Sequence, residues 1–300
     1  MLGDLATCAA ALAAVGHPAR VLAVTGSTND DARAWAGQGA PSGAVVIAEA
    51  QTAGRGRHGR AWSAPAGATL AMSIVVRPAV APSHLPSLSI VAGLAVRAAI
   101  ARRTSASVGV KWPNDVVVRA LADARDGGEA PGAPIGLKIA GILVEAALGA
   151  RGVEHAIVGI GINVARTAFP PELEGRATSL ARLPFQSPSS PSSPSPLDTS
   201  LATSLATSLD RTALAVDVVT AFDAGLAAWL ADPASIGVAL ASHDVLRGVA
   251  LRLEDGRRGR GEGVASDGRL RVRLADGSLA MTQAGEVLVD GDAGSASGAS

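Results

Sequence analysis

Residues 44–62 read AVVIAEAQTAGRGRHGRAW. Ala44 to Ala48 is an apolar run of strand length and Leu70 to Val76 (LAMSIVV) is another, so the polar stretch Glu49 to Gly67 is a loop between two buried strands. From Gly54 to Arg60, three arginines are interleaved with three glycines. Glycine lets backbone N–H groups come close to a ligand, and each guanidinium grips carboxylate or phosphate oxygens as a fork. The segment therefore predicts an anion site on a strand-borne loop.

Gly54, Gly56 and Gly59 also spell G-x-G-x-x-G, the dinucleotide fingerprint, which opens a helix directly after a strand. Pro65 and Gly67 obstruct such a helix, and no acidic residue follows about 20 positions on to hold a ribose hydroxyl. A nicotinamide reading therefore requires a helix after Gly59. The phosphate-loop spelling fails as well, because Arg60 and Ala61 stand where Lys and Ser or Thr belong. An RNA-binding arginine–glycine patch needs net positive charge and stacking aromatics, whereas 26 basic residues balance 26 acidic ones and aromatics make up 2%.

Outward from the loop, Val21 to Val24 is a short strand, and Thr25-Gly26-Ser27-Thr28 supplies a turn and hydroxyl caps for a helix through Trp35. Pro86 to Arg103 carries apolar residues at helical spacing, with Arg102 and Arg103 suited to a C-terminus. Strands return at Val108 to Lys111, Val116 to Val118, Lys138 to Val144 and Ala156 to Val164, and a helix at Thr212 to Leu230. Ala120 to Pro134 reads as a surface insert. Leu183 to Asp210 reads as a larger one, its SPSSPSSPSP and TSLATSLATSL too poor in bulky apolar groups to offset ordering entropy. From Asp244 to Val289, short strands punctuated by Asp255-Gly256, Asp267-Gly268 and Asp276-Gly277 predict a small β-barrel, followed by a disordered tail at 291–300.

The 300 residues, 48% hydrophobic, suffice for one sizeable core and an appendage. Zero net charge gives no global field toward nucleic acid or membrane, and the single cysteine, Cys8, excludes an intrachain disulfide and a four-cysteine zinc site. Asp4 stands where a signal peptide wants positive charge, and the apolar run Ile90 to Ile100 is broken by Arg97 and falls short of the roughly 20 residues of a membrane span. The expectation is a cytoplasmic protein without membrane or DNA partners.

Two further clusters place lysines at strand edges: Lys111-Trp-Pro-Asn-Asp115 and Lys138-Ile-Ala-Gly-Ile-Leu-Val-Glu145. With Ser27-Thr28-Asn29, Glu49-Ala-Gln-Thr-Ala53 running into GRGRHGRAW, and Gly159-Ile-Gly-Ile-Asn163, they occur in an order that resembles the biotin protein ligase family. These motifs span about half the chain and are jointly specific. The resemblance implies an α+β fold: a mixed-sheet catalytic domain over 21–242 after an N-terminal extension at 1–20, then a small SH3-like β-barrel over 243–290. It implies ATP-dependent formation of biotinyl-5'-AMP and transfer of biotin to a lysine of a biotin carboxyl carrier protein, by a monomer or homodimer. Too few residues precede Ser27 for the helix-turn-helix that some members carry.

Under that resemblance, Ser27, Thr28, Asn29 and Gln51 hydrogen-bond the ureido ring of biotin, whose polar atoms are costly to bury unpaired. Ser27 and Thr28 also suit plain helix capping. Ile142 and Val144 are candidates for the alkyl slot or for ordinary core. Arg55, Gly56 and Arg57 hold biotin and its activated carboxyl, Lys138 reaches the same carboxylate and the reacting phosphate, and Arg57, Lys111 and Lys138 form the catalytic set. Arg60, Trp62, Asn114 and Asn163 contact ATP or the adenylate. Mg²⁺ rides on the triphosphate, with Asp115 its candidate ligand. The carrier amine expels AMP without a covalent enzyme intermediate, so His58 contributes charge or packing. The rival readings are a lipoate-type ligase and a non-catalytic biotin or nucleotide sensor.

Overall fold

The computed structural model describes residues 3–119, 135–150, 152–185, 209–282 and 287–289. The insert 120–134, most of the insert 183–210 and the tail 291–300 lie outside the described residues. Seven strands form the main sheet: β1 (Ala19–Thr25), β2 (Val45–Gln51), β3 (Thr69–Val76), β4 (Ser107–Lys111), β5 (Asp115–Arg119), β6 (Leu137–Gly149) and β7 (Gly152–Asn163). Their order is β1-β2-β3-β7-β6-β5-β4; β1 and β2 run parallel and every other neighbour antiparallel, so the sheet is mixed.

One face packs on helices α1 (Cys8–Ala14), α3 (Leu88–Ala101) and α4 (Arg211–Ala231). Helix α4 starts where Asp210 accepts the Ala213 N–H, a side-chain cap, and it buries Phe222 and Trp229. Burial of such large side chains is worth about 1.5–3 kcal/mol each. Leu5, Cys8 and Leu12 are fully buried in the same core, so the segment expected as an extension packs beneath the sheet. Burial pushes the Cys8 thiol up to about 11, which leaves it an inert packing group. Pro82–Ala101 and Arg211–Ala231 are long and apolar enough to cross a membrane by length and composition, but they also contribute Ile90, Val91, Leu214 and Phe222 to this core.

The opposite face is covered only in part, by α2 (Thr28–Gly37), whose Ala32 and Ala36 cluster with Val46, Val75 and Ile157. Side chains alternate across a strand, so the rest of that face is set by parity. It carries Ala71 and Ser73 of β3, Gly159 and Gly161 of β7, Gly141 and Leu143 of β6, and Asp115 of β5, which the strand register lines up across the sheet. Ile142 and Val144 are displaced by one residue and therefore point the other way. Ile142 is buried against α3 at Gly93, and Val144 packs on the same core, so neither lines a slot on the open face.

The five strands β8 (Ala250–Arg252), β9 (Arg258–Val264), β10 (Leu270–Leu274), β11 (Leu279–Thr282) and β12 (Leu288–Val289) make a small antiparallel sheet, ordered β11-β10-β9-β8-β12. The three Asp-Gly pairs lie in the turns of its successive hairpins. Short α5 (Ile236–Leu240) leads into it. His243 and Val245 exchange backbone hydrogen bonds with Val110 on the outer edge of β4, and Trp112 Nε1 donates to Gly268 O at 2.9 Å. The two sheets thus share one continuous core.

Candidate active site

The loop from Thr52 to Ala68 is a folded-back hairpin over the open face. Gln51 N donates to Ala64 O, Trp62 N to Gly54 O and Gly56 N to Arg60 O, and the tip turns through His58 and Gly59 at φ 55° and 71°. A side chain at Gly54 would begin 2.4 Å from Trp62 O, so only glycine lets the limbs close. Arg60 is extended and the chain runs on to β3, so no helix follows Gly59 and the dinucleotide reading ends there.

The fold-back lays Trp62 on the sheet. Side chains at Gly161 and Gly141 would begin 2.3 Å and 3.3 Å from its indole, so the bare glycines form the floor on which the ring rests. Lys138 Nζ lies 5.7 Å from the ring centroid and 2.6 Å from Asp115 Oδ1. A register shift between β5 and β6 pairs Val116 with Ala140 but Val117 with Lys138, leaving Ile139 as a bulge. Lys138 is further fixed by Arg176 O, which takes its N–H, and by Thr178 N, which donates to its carbonyl. Arg57 Nη1 donates to Asn114 Oδ1 at 3.3 Å, while Asn114 Nδ2 donates to Ile142 O, locking the β4–β5 turn onto β6. Burial lowers the pKa of Arg57, Arg60 pushes the same way, and Asp115 and Glu254 only partly oppose them. A cation desolvated beyond its compensation favours an incoming anion.

A second polar group lies at the start of α2. Gln51 Oε1 accepts from Thr28 N at 2.8 Å and Thr28 Oγ1 at 3.0 Å; Ser73 Oγ is 2.8 Å from Thr28 Oγ1 and 2.6 Å from Asn29 Oδ1. Asn29 Nδ2 donates to Glu145 Oε2 at 2.7 Å. Asn29 lies so close to β7 that a side chain at Gly159 would begin 2.2 Å from its Oδ1. This group and the Asp115–Lys138 pair are separated by three strand spacings, a span of roughly 15 Å bridged by the glycine floor. Trp62 Nε1 and Asn163 Oδ1 are buried without a hydrogen-bond partner among the described residues. The arrangement sets a polar group at α2 apart from a cationic end at Arg57 and Lys138, a spacing suited to an elongated ligand with a polar head and an anionic tail.

The segment 21–163, which contains nearly every group just placed, matches the biotin/lipoate A/B protein ligase family. The match takes in just under half of the chain, and over that segment the chain is similar to the family. Over 173 residues it is 42% identical to the biotin–[acetyl-CoA-carboxylase] ligase of Mycobacterium tuberculosis, covering 56% of each chain. It is 38% identical over 160 residues to the ligase of the same name from Paracoccus denitrificans, and 35% identical over 161 residues to the bifunctional ligase/repressor of Bacillus subtilis. These alignments cover 59% and 45% of the relatives, so the chain spans about half the length of the curated proteins it matches. The biotin protein ligase of Aquifex aeolicus, solved in complex with biotin and ATP, aligns over 90% of this chain and 97% of its own with a TM-score of 0.65 at 24% identity. That match shows a shared fold.

Within the matched segment, the structure gathers Arg57, Asn114, Asp115, Lys138 and Trp62 in one place, and Thr28, Asn29 and Gln51 in another. Ser27 holds the N-cap position of α2, yet its side chain makes no capping bond. Gly56 and Arg60 pair across the hairpin. Asn163, at the end of β7, donates to Thr178 O at 3.1 Å. Lys111 pairs with Asp115 in the β4–β5 register. Arg55 stands apart, because both its terminal nitrogens meet Asp30 on α2. Four participants have no signal in the sequence reading: Ser73, Asp30, the Glu145 carboxylate as the anchor of Asn29, and Arg211. The motif KIAGILVE contains Glu145, but only the parity of β6 reveals that it faces α2.

Arg211, 3% exposed, spends all five of its N–H groups. Nε donates to Asp4 at 2.9 Å, Nη1 to Glu49 Oε1 at 3.1 Å and Thr69 O at 3.2 Å, and Nη2 to Glu49 Oε2 at 2.9 Å and to Asp4. Burial alone would lower its pKa, but the Asp4 and Glu49 hydrogen bonds raise it. Glu49 Oε1 also accepts the Gly67 N–H, so this buried group fastens the outgoing limb of the loop.

Proposed function

We propose that the chain is an ATP-dependent ligase that forms biotinyl-5'-AMP and transfers biotin to a lysine of a biotin carboxyl carrier protein. The carrying observation is the meeting of Arg57 and Lys138 at Asn114 and Asp115, across the sheet from the Thr28–Asn29–Gln51 group. In this reading the ureido ring sits against Thr28, Asn29 and Gln51, and the alkyl chain passes Leu143 alongside the Trp62 indole that covers Gly161. The carboxylate ends between Arg57 and Lys138, whose charges offset its repulsion from ATP and the charge that develops as it attacks the α-phosphate. Pyrophosphate leaves. The carrier amine then attacks the mixed anhydride and AMP departs. Lys111 and Arg60 assist on the phosphates, while Trp62 Nε1 and Asn163 Oδ1 meet the adenylate.

No cluster of three metal-ligating side chains occurs among the described residues, and Asp115 is already neutralised by Lys138. A single carboxylate still suits Mg²⁺ carried on the triphosphate, where phosphate oxygens and water complete the coordination. Bound there, the ion would neutralise phosphate charge. We assign residues 21–242 to the catalytic domain and 243–290 to an SH3-like barrel, and place the protein in the cytoplasm. The test is exchange of labelled pyrophosphate into ATP with Mg²⁺ and biotin, followed by the biotin mass increment on a carboxylase carrier domain. Exchange with lipoate but not biotin would overturn the substrate.

A further inference from the structure

Arg55 and Asp30 meet as two planar forks, Nη1 to Oδ2 at 2.6 Å and Nη2 to Oδ1 at 2.6 Å. Arg55 belongs to the incoming limb of the arginine–glycine loop, and Asp30 to the first turn of α2 beside Thr28 and Asn29. Arg33, one turn further on, donates to Asp30 at 2.7 Å and pairs with Glu145 at 2.8 Å, and Glu145 in turn holds Asn29. One chain of contacts therefore runs from the loop through α2 to the buried Ser73 hydroxyl. The Arg55 guanidinium reaches toward Glu145, four residues along β6 from Gly141, or about 13 Å from the Lys138 end of the site. Its geometry serves a fastener better than a carboxylate ligand.

We propose that Asp30 is a positioning residue: by gripping Arg55 it pins the incoming limb to α2 and sets how the loop closes over the ligand. The inference deepens the ligase reading and rests on it for its kinetic consequences alone. The pair joins loop closure to the helix that presents Thr28 and Asn29, so loss of the fork loosens both ends of the ligand site together. The largest influence on Asp30 is the Arg55 hydrogen bond, which helps hold its carboxyl down at about 2, so the pair is ionised at neutral pH.

The test compares wild type, Asp30→Asn, Arg55→Asp and the exchanged pair Asp30→Arg/Arg55→Asp. Limited trypsin digestion at Arg57 and Arg60 should run about 5- to 10-fold faster in Asp30→Asn and Arg55→Asp, and return toward wild type in the exchanged pair. In pyrophosphate exchange, Asp30→Asn should raise the KM for biotin about 10-fold with kcat within about 2-fold, and the exchanged pair should recover most of that loss. Unchanged cleavage in Asp30→Asn overturns the proposal. So does an exchanged pair as defective as Arg55→Asp alone, since Arg55 would then be acting on the ligand. If wild type shows no biotin-dependent exchange, the ligase reading fails, and the cleavage rates still decide whether Asp30 fastens the loop.

Discussion

The loop between β2 and β3 is gripped at both limbs through an arginine fork: Arg55 of the incoming limb on Asp30, and Arg211 on Glu49, a pair that takes the Gly67 N–H and the Thr69 carbonyl of the outgoing limb. The chemistry is the same and the solvent is not: the first pair is 36% and 48% exposed at its side chains, the second 3% and 8%. Solvent screens the incoming fork to a contribution of about 0–1 kcal/mol, within reach of ligand binding energy. The outgoing fork is dehydrated and saturated with hydrogen bonds, so breaking it strands a buried charge. A loop with one permanent and one releasable limb swings about its permanent end. That is the behaviour the proposed ligase activity would ask of a cover over the site.

The sharpest way to break this contrast is at the buried fork. Arg211→Ala leaves Glu49 and Asp4 without their partner and should cost about 3–5 kcal/mol, read from urea denaturation. A loss under about 1 kcal/mol would make the two limbs equivalent. Next in size, Arg57→Ala should reduce pyrophosphate exchange by about 10²–10³ while moving the denaturation midpoint far less than Arg211→Ala does, because it removes a cation from the reacting end. A fully active variant would remove Arg57 from the chemistry. Gly161→Val puts branched carbon where Trp62 now lies, and should weaken biotin binding about 10-fold in calorimetry while shifting tryptophan emission. Unaltered affinity and emission would show that the loop does not need its glycine floor.

The smallest effect is on pH. The folded-state pKa of Asp30 is depressed to about 2 from the ordinary 3.8, so the stability it adds is present above the unfolded value and is lost as pH falls through about 2. Urea midpoints of wild type and Asp30→Asn should differ slightly at pH 6 and converge between pH 3.8 and about 2. A difference that grows on acidification would contradict the exposed-fork assignment.

Strands and helices were legible because apolar runs of strand length, helical spacing and Asp-Gly turns are local signals. The clustering of Arg57, Asn114, Asp115 and Lys138 was legible too, since they stand in compact motifs. Two things were not. The direction of each side chain on β6 cannot be read from KIAGILVE, because apolar residues and glycine on both faces hide the alternation that would separate Ile142 from Leu143. Nor can pairings be read between residues far apart in sequence: Arg211 meets Glu49 across 162 positions, Ser73 meets Asn29 across 44 and Arg55 meets Asp30 across 25. A lone acidic residue at a helix start looks like a favourable charge at the helix dipole until its partner folds over it.

β4 is the last strand of the main sheet, and its outer edge would be an open template were it not bonded to His243 and Val245. Those two residues lie at the head of the small sheet, which also supplies the carbonyl that Trp112 needs. The small sheet and the residues leading into it therefore act as an edge guard for the strand that leads into Asn114 and Asp115. A fragment ending at residue 242 would expose that edge together with the buried indole, and would be expected to self-associate through it before showing any catalytic defect.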